Sequence, residues 1–151
     1  LMTDTVDQQT RSKIMAKVQS KGTKLESLLW DALINWGWDF FEKQAEDVPG
    51  RPDFVCRAYK VAIFVDSCFW HGCPRHLRMP SSNVEYWTKK IVRNKRRDAR
   101  VRAQLRREGW RVISIWEHEL PDKPSFKSKL TRLEKYIAGR SVANIDPDNH
   151  L

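Results

Sequence analysis

The segment FVDSCFWHGCPRH, running from Phe64 to His76, concentrates reactive side chains. Asp66 closes an apolar run, and Cys68, His71, Cys73 and His76 follow, with the aromatic pair Phe69-Trp70 between them. Cys68, Cys73 and His76 have C-x4-C-x2-H spacing, which offers three soft or borderline ligands from one loop. A structural zinc takes four such ligands in a tetrahedron. His118, in IWEHEL just past a strand-like run, would supply the fourth and pin the loop to a sheet. His71 is then spare. An imidazole held rigidly between two ligands and near Asp66 can titrate near neutrality and move a proton. The competing arrangement makes His71 the ligand and His118 a surface residue. Clustered Cys and His read as metal before disulfide. Cys56, in an apolar run, reads as a small core residue.

Two carboxylates flank the apolar runs upstream. Asp53 opens PDFVC and Asp66 ends KVAIFVD, with RAYK between them. If Tyr59-Lys60 centres the hairpin turn, Asp53 faces Asp66, with Cβ atoms about 4.5–5.5 Å apart. Like charges so placed need a resolving cation. Mg²⁺ suits the role, because it takes one or two carboxylates and keeps open positions for phosphate and water. A backbone carbonyl from Val65 would add a ligand. Pro-Asp followed by an apolar strand ending in an acid is the pattern of the PD-(D/E)XK nuclease core. The lysine expected two residues past the second acid is absent, since position 68 is cysteine.

Charge is distributed unevenly. The chain of 151 residues carries a net +9, and the stretch Thr88 to Arg107 alone holds ten Lys or Arg and one acid. The rest is neutral, so the basic stretch reads as a footprint for a polyanion. Lys89, Lys90, Arg93, Lys95 and Arg96 are the expected phosphate contacts. Hydrophobic content of 40% is that of a globular chain, no apolar run approaches the roughly 18 residues a membrane span needs, and the polar, charged start leads to the expectation of no secretory leader pattern.

These residues need a scaffold, and the length suits one domain over 10–140, with a flexible N-terminus (1–9) and a tail (141–151). TRSKIMAKVQSKG reads as a helix ended by Gly22, and Thr23 then caps a second. Leu25, Leu28, Leu29, Ala32, Leu33 and Trp36 mark the buried stripe of that second helix, with Glu26 on its shoulder. Strands are expected at WDFFEKQ, PDFVC, KVAIFVD and WRVISIW, and helices from Tyr86 to about Glu108 and over KPSFKSKLTRLEKYIAG. The inner seam of the basic helix reads Trp87, Ile91, Asn94, Asp98, Val101, Leu105. Its two polar members either reach an active centre or bond within the domain. The element order gives an α/β fold with a mixed central sheet flanked by helices.

TRSKIMAKVQSKGTKLE, GRPDFVC, FVDSCFWHGC, EYWTKKIVRNKRRD and GWRVISIWEHEL together resemble the very-short-patch repair (Vsr) mismatch endonucleases, in order from about Thr10 to Leu120. The resemblance implies a restriction-endonuclease-like fold, a structural zinc and a catalytic Mg²⁺. It also implies a bacterial cytoplasmic enzyme, working at the nucleoid, that nicks double-stranded DNA beside a T:G mismatch left by deamination of 5-methylcytosine. Asp53 matches the metal-binding aspartate, and Glu26 a glutamate reaching the metal site through water. His71 matches the catalytic histidine. Phe69, Trp70 and Trp87 match aromatics that wedge into the base stack, and Met15 a residue acting from the minor groove. Mismatch-repair proteins or a cytosine-5 methyltransferase system are the implied partners, and a single active site suits a monomer. Asp66 stands where the best-studied member has a second histidine, and the zinc ligands differ in type and spacing. A restriction-type or lesion-specific endonuclease with another target is the alternative.

Overall fold

The computed structural model describes residues 8–120 and 122–140, and over most of 8–23 it describes the backbone alone. The expected loose N-terminus and tail fall largely outside this range. Helix α1 (Gln8–Asn35) leads to strands β1 (Glu42–Lys43), β2 (Phe54–Cys56) and β3 (Val61–Asp66). Helix α2 (Val84–Arg107), β4 (Arg111–Trp116), a 3-10 turn at Glu117–Glu119 and α3 (Pro124–Ala138) follow. The strands form one sheet in the order β1-β2-β3-β4. The first two pairings are antiparallel, and β3 pairs with β4 in parallel across the α2 crossover. The fold is a mixed α/β sheet with helices on both faces, as read from the sequence. No helix among the described residues is long and apolar enough to cross a membrane.

Alternation along the strands sorts the core into two layers. Phe54, Cys56, Val61, Ile63 and Ile115 face α1 and α3, meeting Leu29, Leu33, Phe126, Leu130 and Leu133. Val55, Ala62 and Phe64 face α2, meeting Leu105 and Val101. Burying one such large side chain contributes about 1.5–3 kcal/mol, so both faces are firmly held. Asp53 and Asp66 belong by parity to the α2 face.

Three expectations change. Gly22 does not end a helix: α1 is one helix of 28 residues. A mid-helix glycine costs only about 1 kcal/mol against alanine, and good helix formers flank it. Trp36 lies past the end of α1 and is exposed, while Trp38 takes the buried position. The strand expected at WDFFEKQ shortens to two residues.

Candidate active site and metal centre

The β2–β3 hairpin positions Asp53. Its register is Phe54↔Ile63, Val55↔Ala62 and Cys56↔Val61. The residue opposite Asp53 is therefore Phe64, and Asp66 lies two residues further along the same face. This corrects the face-to-face pair expected from the sequence. The cause is the turn. Arg57–Lys60 form a four-residue loop closed by a hydrogen bond from Lys60 N–H to Arg57 C=O. Lys60 takes a left-handed backbone at φ 51°. The shift makes the two acids diagonal neighbours, about 7–8 Å apart and somewhat less between Cβ atoms.

Asp53 and Asp66 meet different partners. Asp53 Oδ2 accepts a hydrogen bond of 2.7 Å from Val65 N–H. Backbone groups of odd-numbered β3 residues point toward β2, so the Val65 carbonyl faces the Asp53 side too. Burial pushes the Asp53 carboxyl up to about 7, with the Glu26 and Asp66 carboxylates adding to it against the opposing Val65 hydrogen bond. Glu26 reaches this point from α1 and accepts a 3.3 Å hydrogen bond from Gln44. Asp66, only 1% exposed, is instead gripped by Arg102. Nη1 donates to Oδ2 at 2.8 Å and Nη2 to Oδ1 at 2.7 Å. Both oxygens of Asp66 thus have a cationic partner already.

His71 stands on the loop after β3. Its Nδ1 lies 2.5 Å from Asp98 Oδ2 and 3.7 Å from Asp66 Oδ1. Burial alone would raise the Asp98 carboxyl, but the His71 hydrogen bond and the cations Arg102 and Arg97 outweigh it and hold it below the ordinary range. Gly72, at φ 62°, lets the loop press on α2: a Cβ there would meet Lys95 and Ile91 side-chain carbons at 2.8 and 2.9 Å. Asn94 Nδ2 donates to Trp70 C=O at 3.2 Å. Asn94, Asp98 and Arg102, four residues apart along one helix face, thus hold Trp70, His71 and Asp66 in turn. The polar positions of the α2 seam bond toward the centre. Asp53, Phe64, Val65, Asp66, His71 and Asp98 share a cavity of about 610 Å³ with Arg51, Arg97, Arg100 and Arg102. Acids form its floor and exposed arginines its rim.

The four expected zinc ligands come together. Ligand atoms of Cys68, Cys73, His76 and His118 all lie within 4.8 Å of one another. Cys68 Sγ is 3.2 Å from His118 Nδ1, and Cys73 Sγ is 3.6 Å from His76 Nδ1 and 3.8 Å from His118 Nδ1. A tetrahedral ion with bonds of about 2.0–2.3 Å has edges of about 3.3–3.8 Å, so the group fits one. Burial, the Glu117 carboxylate and Cys73 push the Cys68 thiol up to about 12. Such a thiol becomes a thiolate only with a cation beside it. Burial and neighbouring His76 hold His118 below its usual range, which favours the neutral imidazole a metal binds. His71 is outside this group, tied to Asp98.

Next to the metal group, Phe69, Trp70 and Trp87 pack edge-on or tilted, with centroids 5.0–5.9 Å apart. Phe69 and Trp70 are half-buried. Trp87, expected among the wedging aromatics, is 2% exposed and supports the other two from within. It sits on the inward face of α2, which explains the difference. Met15 lies in α1, and its side chain is outside the described residues. Lys89, Arg93, Lys95 and Arg96 are exposed on α2, and Lys90 is half-buried over the Trp70 ring at 5.1 Å.

The family model described as DNA mismatch endonuclease Vsr matches residues 3–76. The DNA mismatch endonuclease Vsr of Escherichia coli strain K12 is 38% identical over 149 residues, 96% of this chain and 95% of that protein. The chain belongs to the Vsr family of DNA mismatch endonucleases. As a Vsr-family member it is a DNA endonuclease. Other relatives are the type II nicking enzyme V.NaeI of Lentzea aerocolonigenes, 44% identical over 72% of this chain and 68% of that protein, and V.XorIIP of Xanthomonas oryzae pv. oryzae, 36% identical over 87% of this chain and 97% of that protein. Against that Vsr background, sequence reasoning missed Arg102. It was one of ten cations in the basic stretch, and its residue type does not mark it as inward-facing. Four-residue spacing from Asp98 was the available signal.

Proposed function

We propose that this protein is an Mg²⁺-dependent endonuclease that nicks duplex DNA beside a T:G mismatch. The observation that carries this is one shared cavity. It sets a raised aspartate, Asp53, next to a histidine oriented by Asp98, with an aromatic pair anchored alongside.

Asp53 and the main-chain oxygen of Val65 would hold Mg²⁺, with Glu26 beside them. They fit it, because burial raises the Asp53 carboxyl and the Glu26 and Asp66 carboxylates add to it, a strain that a divalent cation relieves. Bound there, Mg²⁺ would supply the charge that polarises the phosphate and stabilises the leaving oxygen. Asp66, expected from sequence to be a ligand, is left out of this set because Arg102 holds both its oxygens. With Nδ1 on Asp98, His71 presents Nε2 for proton transfer with the attacking water. Cys68, Cys73, His76 and His118 would hold Zn²⁺, which fixes the loop carrying Phe69, Trp70 and His71. Phe69 and Trp70 wedge into the base stack. Stacking on a base contributes about 1–3 kcal/mol, and opening a base step costs least at a mismatch. That difference selects the damaged site. The exposed cations of α2 hold the phosphate backbone.

The test is nicking of end-labelled duplexes in Mg²⁺. Each carries a T:G pair, another mismatch, an abasic site or none, in several flanking contexts. Nicking confined to T:G supports the reading. Equal cutting of other lesions keeps the endonuclease and replaces its target.

A further inference from the structure

Arg102 is seated unlike the other cations of α2. Its side chain is 15% exposed, whereas Arg97 and Arg100 lie open at the cavity rim. The guanidinium lies 4.7 Å from the Phe64 ring centroid, directly above the residue opposite Asp53. Its fork toward Asp66 is end-on and uses one N–H from each terminal nitrogen. The second Nη1–H donates to Ser114 Oγ at 2.8 Å. Arg102 Nε is buried with no hydrogen-bond partner. A guanidinium has five N–H donors in a fixed plane. The two that remain, Nε–H and the second Nη2–H, lie along one edge of that plane. Nε–H is closed off from solvent, which leaves the second Nη2–H of a cavity-lining guanidinium for an anionic oxygen.

The surroundings need such a cation. Asp53, Asp66 and Asp98 all border the cavity, and an approaching phosphodiester is anionic. Strand β3 carries no basic residue on this face, since Ala62, Phe64 and Asp66 occupy it. Asp66 fixes the guanidinium plane, as a carboxylate anchor does for a positioned arginine.

Building on the nuclease reading above, we propose that Arg102, which lines the cavity, binds the scissile phosphate through the Nη2–H it does not spend on Asp66, and that Asp66 is a positioning residue for Arg102 and not a metal ligand. Arg102 contacts the reacting group, and Asp66 acts by positioning Arg102 from a place 3.7 Å from His71 Nδ1.

The experiment uses the full chain and a T:G duplex with a single phosphorothioate of defined configuration at the scissile link. Arg102→Met should slow single-turnover nicking about 10²–10³-fold, the usual cost of one lost transition-state donor. For the wild type, sulfur on the contacted oxygen should slow nicking at least about tenfold in one diastereomer, and the softer ion Mn²⁺ should not relieve it. Arg102→Met should lose that sulfur effect. Arg102→Lys keeps a charge on Asp66 and so preserves folding, yet lacks the fork and should also nick at least about tenfold slower. Asp66→Asn should slow nicking while Mn²⁺ affinity, read by calorimetry, stays within about threefold. Nicking by Arg102→Lys and Arg102→Met at wild-type rate, an unchanged sulfur effect, or collapse of Mn²⁺ affinity in Asp66→Asn would each overturn the inference while leaving the nuclease reading intact. A wild type that nicks no duplex would overturn the nuclease reading, and this inference with it.

Discussion

His71 Nδ1 and Asp98 Oδ2 lie 2.5 Å apart, joining the loop after β3 to the middle of the basic helix. The contact fixes which imidazole nitrogen faces the cavity. Asp98→Asn should preserve the shape and lose the charge. Nicking should slow on the order of 10²-fold, within the usual range for general acid–base groups, and the pH–rate profile should shift. The melting temperature should stay within a few degrees. A parallel loss of rate and stability, with an unshifted profile, would reduce Asp98 to a structural role.

Asp53 predicts a pH dependence for the Mg²⁺-free protein. Its carboxyl is raised from 3.8 to about 7, mainly by burial. The folded state therefore holds this proton more tightly than the unfolded chain. The stabilisation is complete below about pH 4 and is lost as pH rises toward 7. Asp53→Asn removes the ionisation. In Mg²⁺-free buffer it should melt higher than wild type at pH 8, and the advantage should vanish near pH 4. Thermal melts across that range check it. A mutant less stable at pH 8 would contradict the burial argument.

Trp70 and Trp87 should separate cleanly. Trp87→Ala removes a side chain only 2% exposed and should cost about 3–5 kcal/mol of stability. Trp70→Ala should leave folding nearly intact and cost about 1–3 kcal/mol in mismatch binding. Chemical denaturation and fluorescence titration with T:G and matched duplexes measure the two. The assignment fails if Trp70→Ala binds both duplexes as the wild type does.

The Cys/His group should hold zinc. Purified protein should carry it in stoichiometric amount by elemental analysis, and His118→Ala should lose it. A strong chelator should expose Cys68 and Cys73 to thiol reagents and lower the melting temperature. His71→Ala should retain the metal, since His71 bonds to Asp98. Metal loss in His71→Ala would exchange the roles of the two histidines.

How far the site could be read from the sequence follows from how local each signal is. Cys68, Cys73 and His76 are close in sequence, and His118 follows a recognisable strand, so the metal group was visible. Asp53 and His71 were visible by spacing and by resemblance. The register was not, because it depends on one backbone angle at Lys60, which is not a turn-forming residue. Arg102 was hidden by helical phase: a cation turned inward looks the same in sequence as its neighbours facing water. Asn94 and Asp98 stood out as polar breaks in an apolar seam, but their partners on the loop were set by the packing of Gly72 on α2. Trp87 points inward from α2 and Trp70 stands on the loop after β3, a difference of burial that their shared residue type does not announce.

The most direct measurement is single-turnover nicking of an end-labelled duplex with one T:G pair, against its matched T:A duplex, by wild type, Asp53→Ala and His71→Ala in Mg²⁺. The account predicts a single nick beside the mismatch, none in the matched duplex, and loss of that nick in both variants. Undiminished nicking by Asp53→Ala, or binding without any cutting by the wild type, would contradict it.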